Sequence, residues 1–115
     1  MLLISEMELP QDADGAAFSA FLRDEYLPAV HTGPTRVGQV EDLEFAERET
    51  TDGGHRFLRI VRWSGIDPGD GPWEDMPVRV DDEAVLQKLA SFGAKTTRHA
   101  RWQEVARLPD ATETP

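Results

Sequence analysis

Three groups of side chains in this sequence are of types that could do chemistry. Glu25 and Tyr26 stand side by side, a carboxylate next to a phenol, which pairs a proton acceptor with a donor for proton transfer or ligand anchoring. The histidines His31, His55 and His99 could serve in acid–base or metal chemistry. None is at ligand spacing from a second His or Cys, so no metal site is expected. His99 is the histidine expected near a pocket and joins Glu25 and Tyr26 as a catalytic candidate. His55 is expected exposed beside a turn, and His31 closes a helix, where an imidazolium suits the dipole. Trp63, Trp73 and Trp102 either pack in the core or line a site for an aromatic ligand. Arg59 and Arg62 need partners if their strand is central. Glu44, Glu47 and Glu25 are the candidates, or a ligand carboxylate.

The elements that position these groups follow from periodicity. Leu2 to Leu9 reads as a strand stopped by Pro10, and Asp12 or Asp14 then caps a helix. Phe18, Phe21, Leu22 and Ala29 share one sector of that helix, and Pro28 kinks or ends it. At about 100° per residue, Glu25 falls in the middle of this apolar stripe. A carboxylate there is paired with Arg62, or it is a pocket group with Tyr26 as its neighbouring donor, or the Pro28 kink turns it into solvent. With Glu25, Tyr26 and Arg62, Trp73 completes the expected ligand pocket.

The centre of the chain is a hairpin, Val37 to Glu49 and His55 to Ser64, with Asp52-Gly53 as a type I′ turn signal. That loop pairs Glu49 with Arg56, Glu47 with Leu58, Phe45 with Ile60 and Leu43 with Arg62. A loop at Gly53-Gly54 would instead set Arg48 against Arg59, which like-charge repulsion disfavours. The first register puts Leu43, Phe45, Leu58 and Ile60 on one face. Ala46, Phe57, Val61 and Trp63 then share the other face, which is too apolar to be left wet. A second copy of the sheet is expected to cover it, making these four residues the interface of a homodimer.

Residues 65–81 are rich in Pro and Gly and are expected to form an ordered flap anchored by Trp73. Asp81-Asp82 opens a second helix burying Val85, Leu86, Leu89 and Phe92, with Gly93 as its C-cap. Thr96 to Leu108 is read as the last strand and residues 109–115 as a polar tail, leaving a single domain over residues 1–108. The order predicts an α+β fold of the ferredoxin-like βαββαβ kind, a four-stranded antiparallel sheet with two helices on one face.

This layout resembles the dimeric α+β barrel superfamily. Asp24-Glu25-Tyr26-Leu27-Pro28 is similar to the Glu-x-His-Leu-Pro or Glu-His-Leu-Pro string of EthD-like and antibiotic-biosynthesis-monooxygenase-type members, with Tyr26 where those have His. The resemblance implies two such sheets closing into a barrel with the helices outside. It also implies a cofactor-independent oxygenase or isomerase acting on an aromatic or polyketide-like substrate. The alternative is a non-catalytic homodimeric ligand-binding or protein-interaction module. No cofactor is expected, and the partners are a second copy and a small apolar or aromatic ligand.

Composition bounds these readings. The 115 residues hold 22 Asp and Glu against 12 Lys and Arg, a net charge of −10, which repels nucleic acid and anionic membranes. The absence of cysteine excludes disulfides and thiolate metal sites. Leu2 to Ile4 is too short an apolar run for a signal peptide or a membrane span, so a cytoplasmic protein is expected.

Overall fold

The computed structural model describes residues 1–51, 54–71, 73 and 78–108. Strand β1 is Leu2–Glu8, and the first helical stretch runs through α1 (Gly15–Phe21), a π-helical turn (Leu22–Tyr26) and α2 (Leu27–Ala29). A two-residue strand β2 (Val30–His31) leads to the long strands β3 (Gly38–Glu49) and β4 (His55–Gly65). Then come β5 (Arg79–Val80), α3 (Glu83–Ser91) and β6 (Lys95–Trp102). The fold is α+β. Its four-stranded antiparallel sheet has the order β3-β4-β1-β6, and β2 pairs with β5 in a separate two-stranded sheet. The arrangement is compatible with a ferredoxin-like fold.

Local chemistry sets the helix ends. Asp14 caps α1 by accepting from the Ala17 N–H at 3.0 Å, and Asp82 caps α3 by accepting from Ala84 and Val85. Gly93, at φ 72°, terminates the second helix as a left-handed residue. Both helical stretches lie on the same sheet face. Phe18 packs edge-on to Phe57 of β4 with centroids 4.8 Å apart, and both Phe18 and Phe21 touch Phe92. Val85 and Leu89 join this layer half-buried, whereas Leu86 is exposed, against the expectation that it is buried.

The hairpin register differs from expectation by one residue. Glu49 faces His55, Glu47 faces Phe57, Phe45 faces Arg59 and Leu43 faces Val61, with a bulge at Glu41. The connection is five residues long, and the Thr50 N–H donates to the Gly54 carbonyl at 2.8 Å. Its centre, Asp52-Gly53, where the turn signal lies, is outside the described residues. A one-residue slip moves every side chain of one strand to the other face of its neighbour. Phe57, Val61 and Trp63 therefore share a face with Leu43 and Phe45, and all three are buried in the core of a single chain. Only Ala46 of the four expected interface residues lies on the uncovered side, opposite Leu58.

The last strand also ends early. Pairing with β1 stops at Trp102, and residues 103–108 continue as an irregular exposed arm.

Candidate functional site

The expected pocket group does not assemble. Glu25 is exposed and its Oε2 accepts from Lys88 Nζ at 2.5 Å. The π-helical turn is the reason: the Leu27 N–H donates to the Leu22 carbonyl, five residues back, which widens the helix and delays its phase by one position. Tyr26, not Glu25, takes the buried place. A wider turn at this point also relieves the clash between the Pro28 ring and the carbonyl four residues before it. The outcome is the solvent-facing one of the three anticipated, reached through a π turn. Arg62 lies on the opposite sheet face, paired with Glu104, so the expected Glu25–Arg62 pair is absent.

In place of that pocket, a row of polar side chains crosses the helix-covered face. Ser5 of β1 is in register with Arg59 of β4 on one side and His99 of β6 on the other. Arg59 Nη2 donates to Ser5 Oγ at 3.2 Å, and Ser5 Oγ lies 3.3 Å from His99 Nδ1. Phe45, opposite Arg59 on β3, extends the row and meets the Tyr26 ring edge-on at 5.7 Å. The Tyr26 phenol and the Arg59 guanidinium interact electrostatically from the two sides of that ring contact. Trp73 closes the far end, its ring edge-on to His99 at 5.0 Å.

This row is the seam between two apolar clusters. Leu3, Val40, Val61, Trp63, Trp73 and Val78 lie to one side, and Leu9, Phe18, Phe21, Leu22, Tyr26 and Phe57 to the other. Ser5, at 1% exposure, is the most deeply buried polar residue among the described residues. Burial pushes the Tyr26 phenol above its ordinary range, with Arg59 opposing, and burial also lowers the Arg59 guanidinium. A hydroxyl held between a guanidinium and an imidazole fixes the imidazole ring in place. The row can thus orient His99 as a proton carrier or hold an acidic ligand group.

Residues 66–71 lie against β6 beside it. Asp67 pairs with Arg101, Asp70 accepts from the Arg101 N–H at 3.2 Å, and Trp73 Nε1 donates to the Gly69 carbonyl at 2.9 Å. Gly71 adopts φ 80°, and a Cβ there would come within 2.8 Å of His99. Trp73 is buried in the core rather than lining a pocket with Tyr26, and residues 72 and 74–77 of the expected flap lie outside the described residues. Of the other histidines, His31 is exposed on β2 and His55 is half-buried beneath Gly15. Among the described residues no three of His, Asp or Glu converge as a metal site would require.

Ser5 and its link to Arg59 were missed from sequence. A signal existed: Ser5 is the polar residue between Leu3 and Met7 at the buried parity of a central strand.

The second feature is the uncovered sheet face. The alternation that buries Leu3 and Ser5 turns Leu2, Ile4 and Glu6 outward, beside Leu58, Ile60 and Arg62 of β4 and Arg98, Ala100 and Trp102 of β6. Its middle is apolar, with charged residues at the ends. No helix among the described residues is long and apolar enough to cross a membrane.

No protein-family model matches the chain, and no curated protein or solved structure is significantly similar to it.

Proposed function

We propose that this chain is a homodimeric interaction module of ferredoxin-like βαββαβ topology, in which two uncovered sheet faces pack together as in a dimeric α+β barrel. The observation that carries this reading is the apolar middle of that face, Ile4, Leu58, Ile60 and Ala100 on three adjacent strands. An antiparallel sheet with one face in water is polar on that face; this one matches the interior of a sheet sandwich. The aromatic filling of the helix–sheet layer by Phe18, Phe21 and Phe57 favours a module over an enzyme, since an enzyme of this architecture needs space there for substrate.

Light scattering on the purified protein tests the reading. A mass of two chains at micromolar concentration is expected, and Leu58→Glu should reduce it to one chain while the circular dichroism stays native. A single-chain mass for the unmodified protein overturns the proposal.

A specific observation favours a second reading, a small-molecule site on the same module. The Tyr26–Arg59–Ser5–His99 row places ionisable groups where a purely structural layer would be apolar, and buried polar groups are costly unless they are used or fully bonded. The ligand class that suits a guanidinium beside aromatic rings is an aromatic acid or phenol, and His99 could then exchange a proton with it, as an isomerase or cofactor-independent oxygenase requires. A thermal-shift panel of such compounds on the unmodified protein and on Ser5→Ala tests this. Equal responses from the two proteins eliminate the row as a site.

A further inference from the structure

The two edges of the four-stranded sheet differ in how they are covered. Residues 66–71 lie against β6, where Asp70 accepts from the Arg101 N–H at 3.2 Å and Gly71 sits over His99. On β3 the cover is at the first residue. The Thr35 N–H donates to the Gly38 carbonyl at 2.8 Å, and the Gly38 N–H donates to Thr35 Oγ1 at 3.2 Å. Beyond Gly38, β4 is the one strand partner of β3 among the described residues. Alternate N–H and C=O groups of an edge strand point away from its neighbour and stay open to pairing. From Asp42 to Glu49 the ladder is regular, with the bulge at Glu41 ahead of it. We infer that this edge takes up an extended basic segment of another protein as an added strand.

A trough beside the edge suits such a strand. A cavity of about 460 Å³ lies between the first helical stretch and the early part of β3, lined by Leu27, Val30, Val40, Leu43, Glu41 and Asp42. A second, of about 320 Å³, continues along the strand, with Leu22, Leu27, Phe45, Phe57, Glu47 and Arg23 in its lining. Leu27 belongs to both, so the two make one trough on the helix side of β3 from Val40 to Glu47. Side chains of a strand point to its two faces in turn. Every second residue of an added strand therefore faces the trough, and each cavity has an apolar lining for an apolar side chain. In this mode of binding the main-chain hydrogen bonds give affinity and the pockets for alternate side chains give specificity.

Charge selects the partner. The stretch Val40 to Glu47 holds Glu41, Asp42, Glu44 and Glu47 and no base. None of these four acids is in an ion pair among the described residues. Arg48 lines neither cavity, and Arg23, the cation in the trough, is held by Asp24 at 3.0 Å. A second copy of this stretch would bring only acids, which disfavours pairing of two β3 edges. A segment alternating Lys or Arg with apolar residues matches both the acids and the trough. The backbone edge and the trough lie off the uncovered sheet face, so this docking does not depend on the dimer proposed above.

The probe is a fluorescein-labelled peptide of alternating leucine and lysine, about eight residues long to match the trough. It should bind with a micromolar Kd by fluorescence anisotropy at about 0.1 M salt, and hydrogen exchange should slow at the β3 amides that face away from β4. The same peptide with every backbone nitrogen methylated keeps its side chains and charge but donates no main-chain hydrogen bond. It should bind about tenfold more weakly. Glu41 and Glu47 are exposed, so Glu41→Gln/Glu47→Gln should weaken binding about fivefold at an unchanged melting temperature. Equal binding of the methylated peptide would reduce the contact to charge and overturn strand addition, and undiminished binding by the double variant would overturn the role of the acids. Absence of binding at millimolar peptide would overturn the docking site and leave the dimer untouched. A fall in the protein's mass on adding peptide would show that a second copy occupies the edge, which overturns the assignment to another protein.

Discussion

Two neighbouring residues, Glu25 and Tyr26, divide surface from interior within one turn. The Glu25–Lys88 pair leaves its side chains 43% and 49% exposed, so water screens it and Glu25→Gln should shift stability by less than about 0.5 kcal/mol in thermal melts. Tyr26 is buried with its ring against Phe21 and Phe45, packing that Tyr26→Phe keeps, so that change should shift stability by no more than about 1 kcal/mol in thermal melts. The phenol also makes stability depend on pH. Its pKa is raised above the ordinary 10.0, so the folded protein holds this proton more tightly than the unfolded chain does. The contribution is fully present below about pH 10 and is lost as pH rises through the folded value. Denaturation midpoints should therefore fall on the alkaline side of pH 10, and more steeply than in Tyr26→Phe. Since Tyr26 is the one tyrosine of the chain, the ultraviolet absorbance of tyrosinate follows it without overlap. Titration at the ordinary value would show the ring to be solvated.

At the scale of elements, strand and helix positions were legible, and phase and register were not. The caps Asp14 and Asp82 and the stop at Gly93 are local chemistry, visible in the residues themselves. The π turn is not, because an ideal wheel assumes a constant angle per residue and Pro28 disturbs it from beyond the stripe. The register went astray for a physical reason as well. Like-charge repulsion across the hairpin does not decide it, since the observed register sets Arg48 directly against Arg56. That pair sits at an exposed sheet end, where Glu8 binds Arg56 at 2.8 Å. Solvated repulsion is weak beside the burial of Phe57, Val61 and Trp63, which the register secures. Helix–sheet contact adds a constraint of its own at Gly15. A Cβ there would lie 2.5 Å from the His55 ring, so Gly15→Ala should destabilise the fold by about 1–3 kcal/mol. In a His55→Ala background the same change should be neutral or stabilising, as alanine is the better helix former. An undiminished cost in that background would place the strain elsewhere.

At the scale of the molecule, the described residues form a sheet with one face closed by the helical stretches, Trp73 and Val78 and the other face open, and adjacent residues of β4 sample the two. Val61 is 1% exposed on the closed face, in one apolar cluster with Leu3, Trp63, Trp73 and Val78. Ile60, next to it, points out of the opposite face between Glu44 and Ile4. The same substitution at the two positions should therefore break different things. Val61→Glu buries a carboxylate among apolar side chains, at a cost of several kcal/mol. Against a total stability of roughly 5–15 kcal/mol, that is enough to leave the chain unfolded or near its midpoint at room temperature. Ile60→Glu leaves the carboxylate in water whenever the chain is alone, so the single chain should keep its secondary structure and cooperative melt, and only the mass of the assembly should fall. Circular dichroism and light scattering on the two variants, measured together, separate the outcomes. Native spectra and an unchanged two-chain mass for Ile60→Glu would mean that a dimer, if formed, uses another surface. A native Val61→Glu protein would mean that Trp73 and Val78 do not close the face over Val61.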